Sequence, residues 1–344
     1  MDTVKGNKRI DSVDILRAVG ILIMVMGHVG FGGKFDRYIH SFHMPIFFLI
    51  SGYLFTSKSE VNLCEIVIKR VKRLLIPYVF YAVLNYVFWL LLGTEPGRLW
   101  YEPLIKAVTY NTSGLPICGA LWFLTAMFFA ETFYLLLDRL LKNKVVRAII
   151  VIILAFAASI LQNRFAYRLP LTIDTALVCM GFLEIGRVFG NVDRKAFMQK
   201  IQEKKAVLFL VGVVLAVINA WLSFVNEYVN IKSGWYGFEP LFWINAIIGS
   251  AAFLAFAMWF DRVAGERNIL RKMLVRIGKT SMVFLGLNQL VILLAVIAFS
   301  LLNLNINIYI AEALVFIVSV IVLYAISCLV GRSKNKYIRT IFGV

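Results

Sequence analysis

The sequence predicts an all-α polytopic membrane protein, a single domain over residues 1–344 with about ten transmembrane helices and both termini on the cytoplasmic side. Three observations predict it. Apolar residues make up 61% of the 344, above the roughly 50% of a soluble domain, and the mean hydropathy is +0.82. These residues fall into ten stretches, most of them near the about 20 residues that cross a bilayer core. Charge alternates from one side to the other. Of the 36 Lys and Arg, 28 flank one set of span ends, seven lie in the opposite loops, and the last, Arg17, sits inside a span. Cytoplasmic loops carry the excess of Lys and Arg. An even number of spans keeps the basic tail inside, whereas nine would place it outside.

The elements follow in order. Span one, residues 12–29, comes after Lys5, Lys8 and Arg9. That outline resembles a signal peptide, but no small-residue cleavage site follows and further spans do, so it reads as a retained anchor. Span two, 41–56, is short and reads as tilted, buried or partly re-entrant. Segment 61–73, VNLCEIVIKRVKR, reads as an amphipathic helix along the inner interface. Pro77 opens span three, 74–92, at a tolerated early-helix position. Span four is 119–138, and span five, 145–161, is the other short one. Spans six to ten are 171–189, 206–224, 241–260, 281–301 and 308–330. The long outer loops, 93–118 and 225–240, carry Trp100, Tyr101, Trp235 and Tyr236, as interfacial segments do. Such rings also stack on sugars. No internal repeat is visible, which weighs against transporters built from repeated halves.

The net charge of +17 follows from this topology and suits anionic membrane lipid on the inner leaflet. The basic residues flank spans rather than forming a basic domain, so no nucleic-acid partner is expected. Cys64, Cys118, Cys179 and Cys328 lack metal or redox spacing and read as structural thiols. No metal is expected.

Ionisable side chains inside a span are costly and therefore mark function. In DILRAVGILIMVMGHVG, Arg17 and His28 are eleven residues apart. At about 100° per residue both project from nearly one face, roughly 16 Å apart along the axis. Asp14 lies one turn from Arg17 on that face and is placed to fix its rotamer. All three histidines, His28, His40 and His43, fall at the outer end of the first hairpin. An imidazole accepts and returns a proton near neutral pH. In FFLISGYLF, Ser51, Gly52 and Tyr53 interrupt an apolar helix, and small residues there allow close helix approach. Among the other intramembrane polar residues, Glu131 and Glu184 are candidates to pair with an Arg or orient a His.

The spacing of Arg17 and His28, followed by SFHMPIFFLISGYLF, KRVKRLLIPYVFY and LWFLTAMF, resembles the acyltransferase-3 family of integral membrane O-acyltransferases. The GHVG, FHMPIFF and SGYLF blocks are most similar to its fucose 4-O-acetylase-like sugar acetyltransferase branch. The resemblance implies a multi-pass enzyme of the plasma membrane, in bacteria the cytoplasmic membrane. It would take an acetyl group from cytoplasmic acetyl-CoA, its cosubstrate, and deliver it to a hydroxyl of an extracytoplasmic or lipid-linked glycan. It makes His28 the catalytic base and Arg17 a catalytic and donor-binding residue. Lys69, Arg70, Lys72 and Arg73 would meet the CoA phosphates. His40, His43 and Trp122 would face the acceptor, with Asp14, Ser51, Tyr53 and Glu131 in support. Many members carry a late His in a pattern similar to FLGLNQL here, where Asn288 and Gln289 stand instead; these bond a substrate but cannot act as bases. The rival expectation is a transporter of a solute or lipid-linked glycan, with Asp14, Arg17 and His28 as a proton relay.

Overall fold

A helix occupies each of the ten predicted stretches in the computed structural model, which describes residues 10–56, 61–93, 95, 97–112, 115–191, 205–302 and 306–344. In chain order these are α1 (Asp11–Val29), α2 (Gly33–His40), α3 (His43–Tyr53), α4 (Leu63–Arg70), α5 (Ile76–Leu92), α6 (Glu102–Val108), α7 (Trp122–Leu140), α8 (Lys144–Phe165) and α9 (Ile173–Asn191). They continue as α10 (Lys205–Val225), α11 (Glu239–Ala264), α12 (Ile269–Lys279), α13 (Ser281–Leu301), α14 (Ile308–Arg332) and α15 (Lys336–Ile341). Among the described residues, eight helical segments are long and apolar enough to cross a membrane. The two remaining predicted spans differ for physical reasons. The α3 helix has 11 residues, and α9, although 19 residues long, carries Asp174, Glu184 and Arg187. Both pack against other helices, so neither needs a full lipid-facing apolar surface.

Glycines let α3 and α9 meet backbone to backbone. A side chain on Gly52 would run into the Leu183 carbonyl, and one on Gly186 into the Leu49 carbonyl. The close approach expected of the SGYLF segment is therefore met by small residues on both partners. The α1 helix is central: it packs on α3, α11, α12 and α13. Gly278 of α12 lies against the Asp14 carbonyl with no room for a Cβ. The amphipathic α12 was not foreseen as a separate element. It is tied at its start by Arg271, which donates to Asp11 Oδ2 at 2.8 Å and Asp261 Oδ1 at 2.7 Å.

Segment 61–73 departs from its reading. Instead of a separate interfacial helix, α4 continues through a π-turn at Val71–Leu75 into α5, and Leu63–Leu92 forms one 30-residue helix. The apolar face of α4 is carried into α5 through the π-turn, which directly precedes Pro77, the interior residue of the continuous helix that has no backbone N–H.

Candidate active site

The α1 helix runs unbroken from Asp11 to Val29, with His28 in its last turn. Arg17 and His28 therefore keep their one-face separation of roughly 16 Å and mark opposite ends of the bundle. Near the first end, Arg17 donates to Asp14 Oδ1 at 3.1 Å, as the i, i+3 spacing predicts. Asp14 is buried and Arg17 half-buried.

At the second end, His28 is accessible and meets α13. Gln289 donates from Nε2 to His28 Nδ1 at 3.1 Å, while Gln289 Oε1 accepts the backbone N–H of Gly119. A backbone N–H only donates, so the Gly119 contact fixes which end of the amide faces His28. The NH₂ group meets Nδ1. A neutral His28 then carries its proton on Nε2 and its lone pair on Nδ1.

The Gly119 N–H is delivered by a strained turn. Ile117 is β-branched yet has φ 59°, and Cys118 N–H donates to Pro116 O at 2.7 Å, closing a three-residue γ-turn of the unfavourable hand. Strain of this kind persists only where its surroundings over-determine it, and it clusters at functional sites. Lys232, from the short helical turn Ile231–Ser233, reaches the same place. A Cβ on Gly119 would lie 3.0 Å from Lys232 Nζ and 3.6 Å from Gln289 Oε1. The Lys232 backbone is held by Arg168, which donates to its carbonyl at 2.7 Å.

The other two histidines stand beside this arrangement in the opposite tautomer. His40 Nδ1–H donates to the Asp36 carbonyl at 2.9 Å and pairs with Asp36 Oδ1 at 3.0 Å. Tyr228 O–H donates to Asp36 Oδ2 at 2.8 Å. His43 Nδ1–H donates to Ile39 O at 2.7 Å. Both leave Nε2 with a lone pair. Their rings meet edge to face at 4.9 Å, but His43 is buried and His40 half-buried. Gly27 lets α2 lie this close to α1, since a Cβ there would sit 2.8 Å from Ile39 Cδ1 and 3.9 Å from His40 Cε1.

The charges of the loop groups follow from these contacts. Burial alone would raise the Asp36 carboxyl, but the hydrogen bonds from His40 and Tyr228 hold it below the ordinary value. The Tyr228 phenol is pushed up by burial and by the Asp36 carboxylate. Burial lowers the Lys232 ammonium from its usual value.

The remaining expected residues gather elsewhere. Glu131 of α7 accepts Ser51 Oγ–H at 2.6 Å and Arg70 Nε–H at 3.1 Å, and it also pairs with Arg73. Glu131 thus has the arginine partner expected of it, and Ser51 is its hydrogen-bond donor. Arg70 is buried in this contact, whereas the side chain of Arg73 is 55% exposed. Lys69 and Lys72 are exposed. Glu184 likewise finds an arginine: Arg147 donates to it from Nε and Nη2, both at 3.1 Å. Tyr53 lines an apolar cavity of about 320 Å³ between the start of α1, α3, α9 and α11, walled also by Leu16, Ile46, Phe189 and Met258. Trp122 is buried at the head of α7, three residues beyond Gly119.

Gln289, Lys232, Gly119, Asp36 and Tyr228 complete the His28 site. One of these contacts had a local signal, since Asp36 and His40 are four apart on one short helix. Among the described residues no group of His, Cys, Asp and Glu could hold a metal ion.

The site offers an accessible imidazole of fixed tautomer, a second imidazole backed by a carboxylate, and an ammonium beside a backbone N–H. That set suits transfer of an acyl group to a hydroxyl, which needs a proton acceptor and a partner for developing negative charge. Comparison with curated proteins and with solved structures gives no match. A family model described as an acyltransferase domain, Acyl_transf_3, matches residues 10–332, from the first residue of the described chain to the last of α14. The chain therefore belongs to the acyltransferase-3 family and is a multi-pass membrane acyltransferase.

Proposed function

We propose that this protein is an O-acetyltransferase of the bacterial cytoplasmic membrane. It moves an acetyl group from cytoplasmic acetyl-CoA to a hydroxyl of an extracytoplasmic or lipid-linked sugar, with His28 as general base. The observation that carries the reading is the orientation of His28, an accessible imidazole at the end of a central helix whose lone pair is set by Gln289. The acceptor hydroxyl takes the place of the Gln289 amide at Nδ1 and gives its proton there. The Gly119 N–H keeps the displaced amide near. His40, with Nε2 free, is positioned to accept a hydrogen bond from the sugar.

The donor side rests on the basic end. Lys69, Lys72 and Arg73 are exposed cations for the CoA phosphates, and Arg70, held by Glu131, orders the helix that presents them. Arg17, steadied by Asp14, lies on the face that leads towards His28. The pantetheine arm is on the order of 15–20 Å long, counted at the bond lengths of an extended chain. That length is comparable to the roughly 16 Å from Arg17 to His28. Family membership favours this reading over transport.

The test is turnover of acetyl-CoA by the purified full-length protein, read as release of free CoA thiol, together with mass spectrometry of surface glycans from cells with and without the gene. His28→Ala is expected to abolish transfer while leaving the melting profile intact. A folded His28→Ala with near-normal acetyl transfer would remove His28 from the mechanism. Turnover that needs a transmembrane gradient and consumes no thioester would favour the transporter.

A further inference from the structure

Lys232 has no role in the scheme above, yet its position is unusual. It is the one Lys or Arg of outer loop 225–240, and three cations of neighbouring segments are engaged: Arg37 donates to Ser223 O at 2.9 Å, Arg164 pairs with Glu239 at 3.2 Å, and Arg168 with Asp174 at 3.1 Å. Among the described residues, no carboxylate lies within ion-pairing distance of Lys232 Nζ. The group is nonetheless half-buried, and withdrawing an unpaired ammonium from water is unfavourable unless an anion arrives to meet it. Burial already lowers its pKa.

Its surroundings define where that anion would sit. Nζ is 3.0 Å from the position a Cβ would take on Gly119, and both polar atoms of the Gln289 amide lie within 4 Å of the same point. Gln289 in turn touches His28 at 3.1 Å. The ammonium thus stands three short steps from the imidazole, brought this close to the Gly119 backbone because residue 119 has no side chain. The strained γ-turn at Ile117 holds that glycine there.

We propose that Lys232 stabilises the oxyanion of the tetrahedral intermediate, a catalytic role that rests on the acetyl-transfer reading. The acceptor oxygen bonds to the thioester carbonyl carbon as its proton passes to His28. The carbonyl π pair moves onto oxygen, and this oxygen is the anion that Lys232 meets. The pair then returns, the C–S bond breaks, and the thiolate leaves with the proton from His28. The Gly119 N–H stays with Gln289 Oε1, so Lys232 is the donor offered to the oxyanion. A lone ammonium suits a single oxygen whose charge appears only transiently. The nearby Arg168, whose planar fork would match a carboxylate bidentately, is already committed to Asp174.

The experiment uses the purified full-length protein in nanodiscs, acetyl-CoA as donor, and water and methyl glucoside as acceptors. Neither acceptor carries a charge. Lys232→Met and Lys232→Gln are read in parallel, so that a folding defect in one does not silence the test, and Lys232→Arg tests whether charge restores function. Both neutral variants are expected to lose about 10²–10³-fold in kcat with either acceptor, as removal of an oxyanion donor does. KM for acetyl-CoA should stay unchanged, and Lys232→Arg should recover part of the loss. Wild-type kcat in the neutral variants would overturn the proposal. So would a raised KM for methyl glucoside with kcat unchanged, which would make Lys232 an acceptor-recognition residue. Failure of the underlying reading looks different: His28→Ala would remain active whatever Lys232 does.

Discussion

At the scale of single residues, the site depends on a hydrogen-bond direction. Gly119 N–H fixes the Gln289 amide, and the amide fixes the imidazole of His28. His40 and His43 are fixed the other way, through backbone and carboxylate acceptors. In ¹⁵N-histidine-labelled protein, neutral His28 is therefore expected to show its proton on Nε2, and the other two on Nδ1. Gln289→Glu replaces the NH₂ donor with an acceptor and should move the His28 proton to Nδ1, so the lone pair faces away from its resting partner. Gln289→Leu leaves Gly119 N–H and His28 both unpartnered. It should lower kcat by about 10–100-fold, as loss of an orienting partner does, while KM for acetyl-CoA holds. An unchanged ¹⁵N pattern in Gln289→Glu would show that Gln289 does not set the tautomer.

At the scale of elements, two contacts anchor the helices, one at each end of the bundle. The first is the buried Glu131–Arg70 pair that locks α4 and its π-turn onto α7. Removing one partner of such a pair leaves an uncompensated charge and costs about 3–5 kcal/mol. Glu131→Gln should therefore lower the unfolding temperature sharply, and Glu131→Met with Arg70→Met should restore most of it. The second is the seat of α2, held by Arg37 on the end of α10 and by Asp36 on Tyr228. Because the folded Asp36 carboxyl is held below its ordinary value, its contribution is full above the ordinary carboxylate range. It is lost as pH falls through the lowered value. Protection from hydrogen exchange across residues 33–40, taken relative to the intrinsic rate at each pH, should fall under those acidic conditions, and in Asp36→Asn it should be low already at neutral pH. What the sequence could reveal divides along the same line. The helices were legible because a long apolar run has few alternatives in a membrane. The i, i+3 pair of Asp14 and Arg17 was legible because helix spacing alone creates it. The Glu131–Arg70 and Gln289–His28 contacts join residues 61 and 261 apart, and no local pattern encodes such distances. The end of the 61–73 reading was misjudged for a related reason: amphipathicity fixes a helix face but not whether the backbone continues.

At the scale of the whole molecule, charge and chemistry divide between two ends. The start of α1, the α12 and α15 helices, Glu131 with its arginines and the exposed Lys69, Lys72 and Arg73 share one end; His28, Lys232 and Asp36 share the other. The asymmetry of 28 against seven basic residues places the first end in the cytoplasm, so the donor would enter there and the acceptor from outside. Cysteine chemistry checks this directly. Cys64 is exposed near the start of the 30-residue helix, while Cys118 and Cys179 are buried. A membrane-impermeant maleimide should leave Cys64 unlabelled in intact cells and modify it in inside-out vesicles. In a Cys64→Ser background, Lys34→Cys on α2 should show the reverse, since Lys34 is exposed at the far end. Labelling of Cys64 from outside would invert the molecule, put the exposed cations on the wrong side for cytoplasmic acetyl-CoA, and leave His28 facing the compartment that holds the donor. The orientation of the chain is thus part of the enzymatic proposal, because a donor and an acceptor arriving from opposite sides need a site whose two ends are chemically distinct.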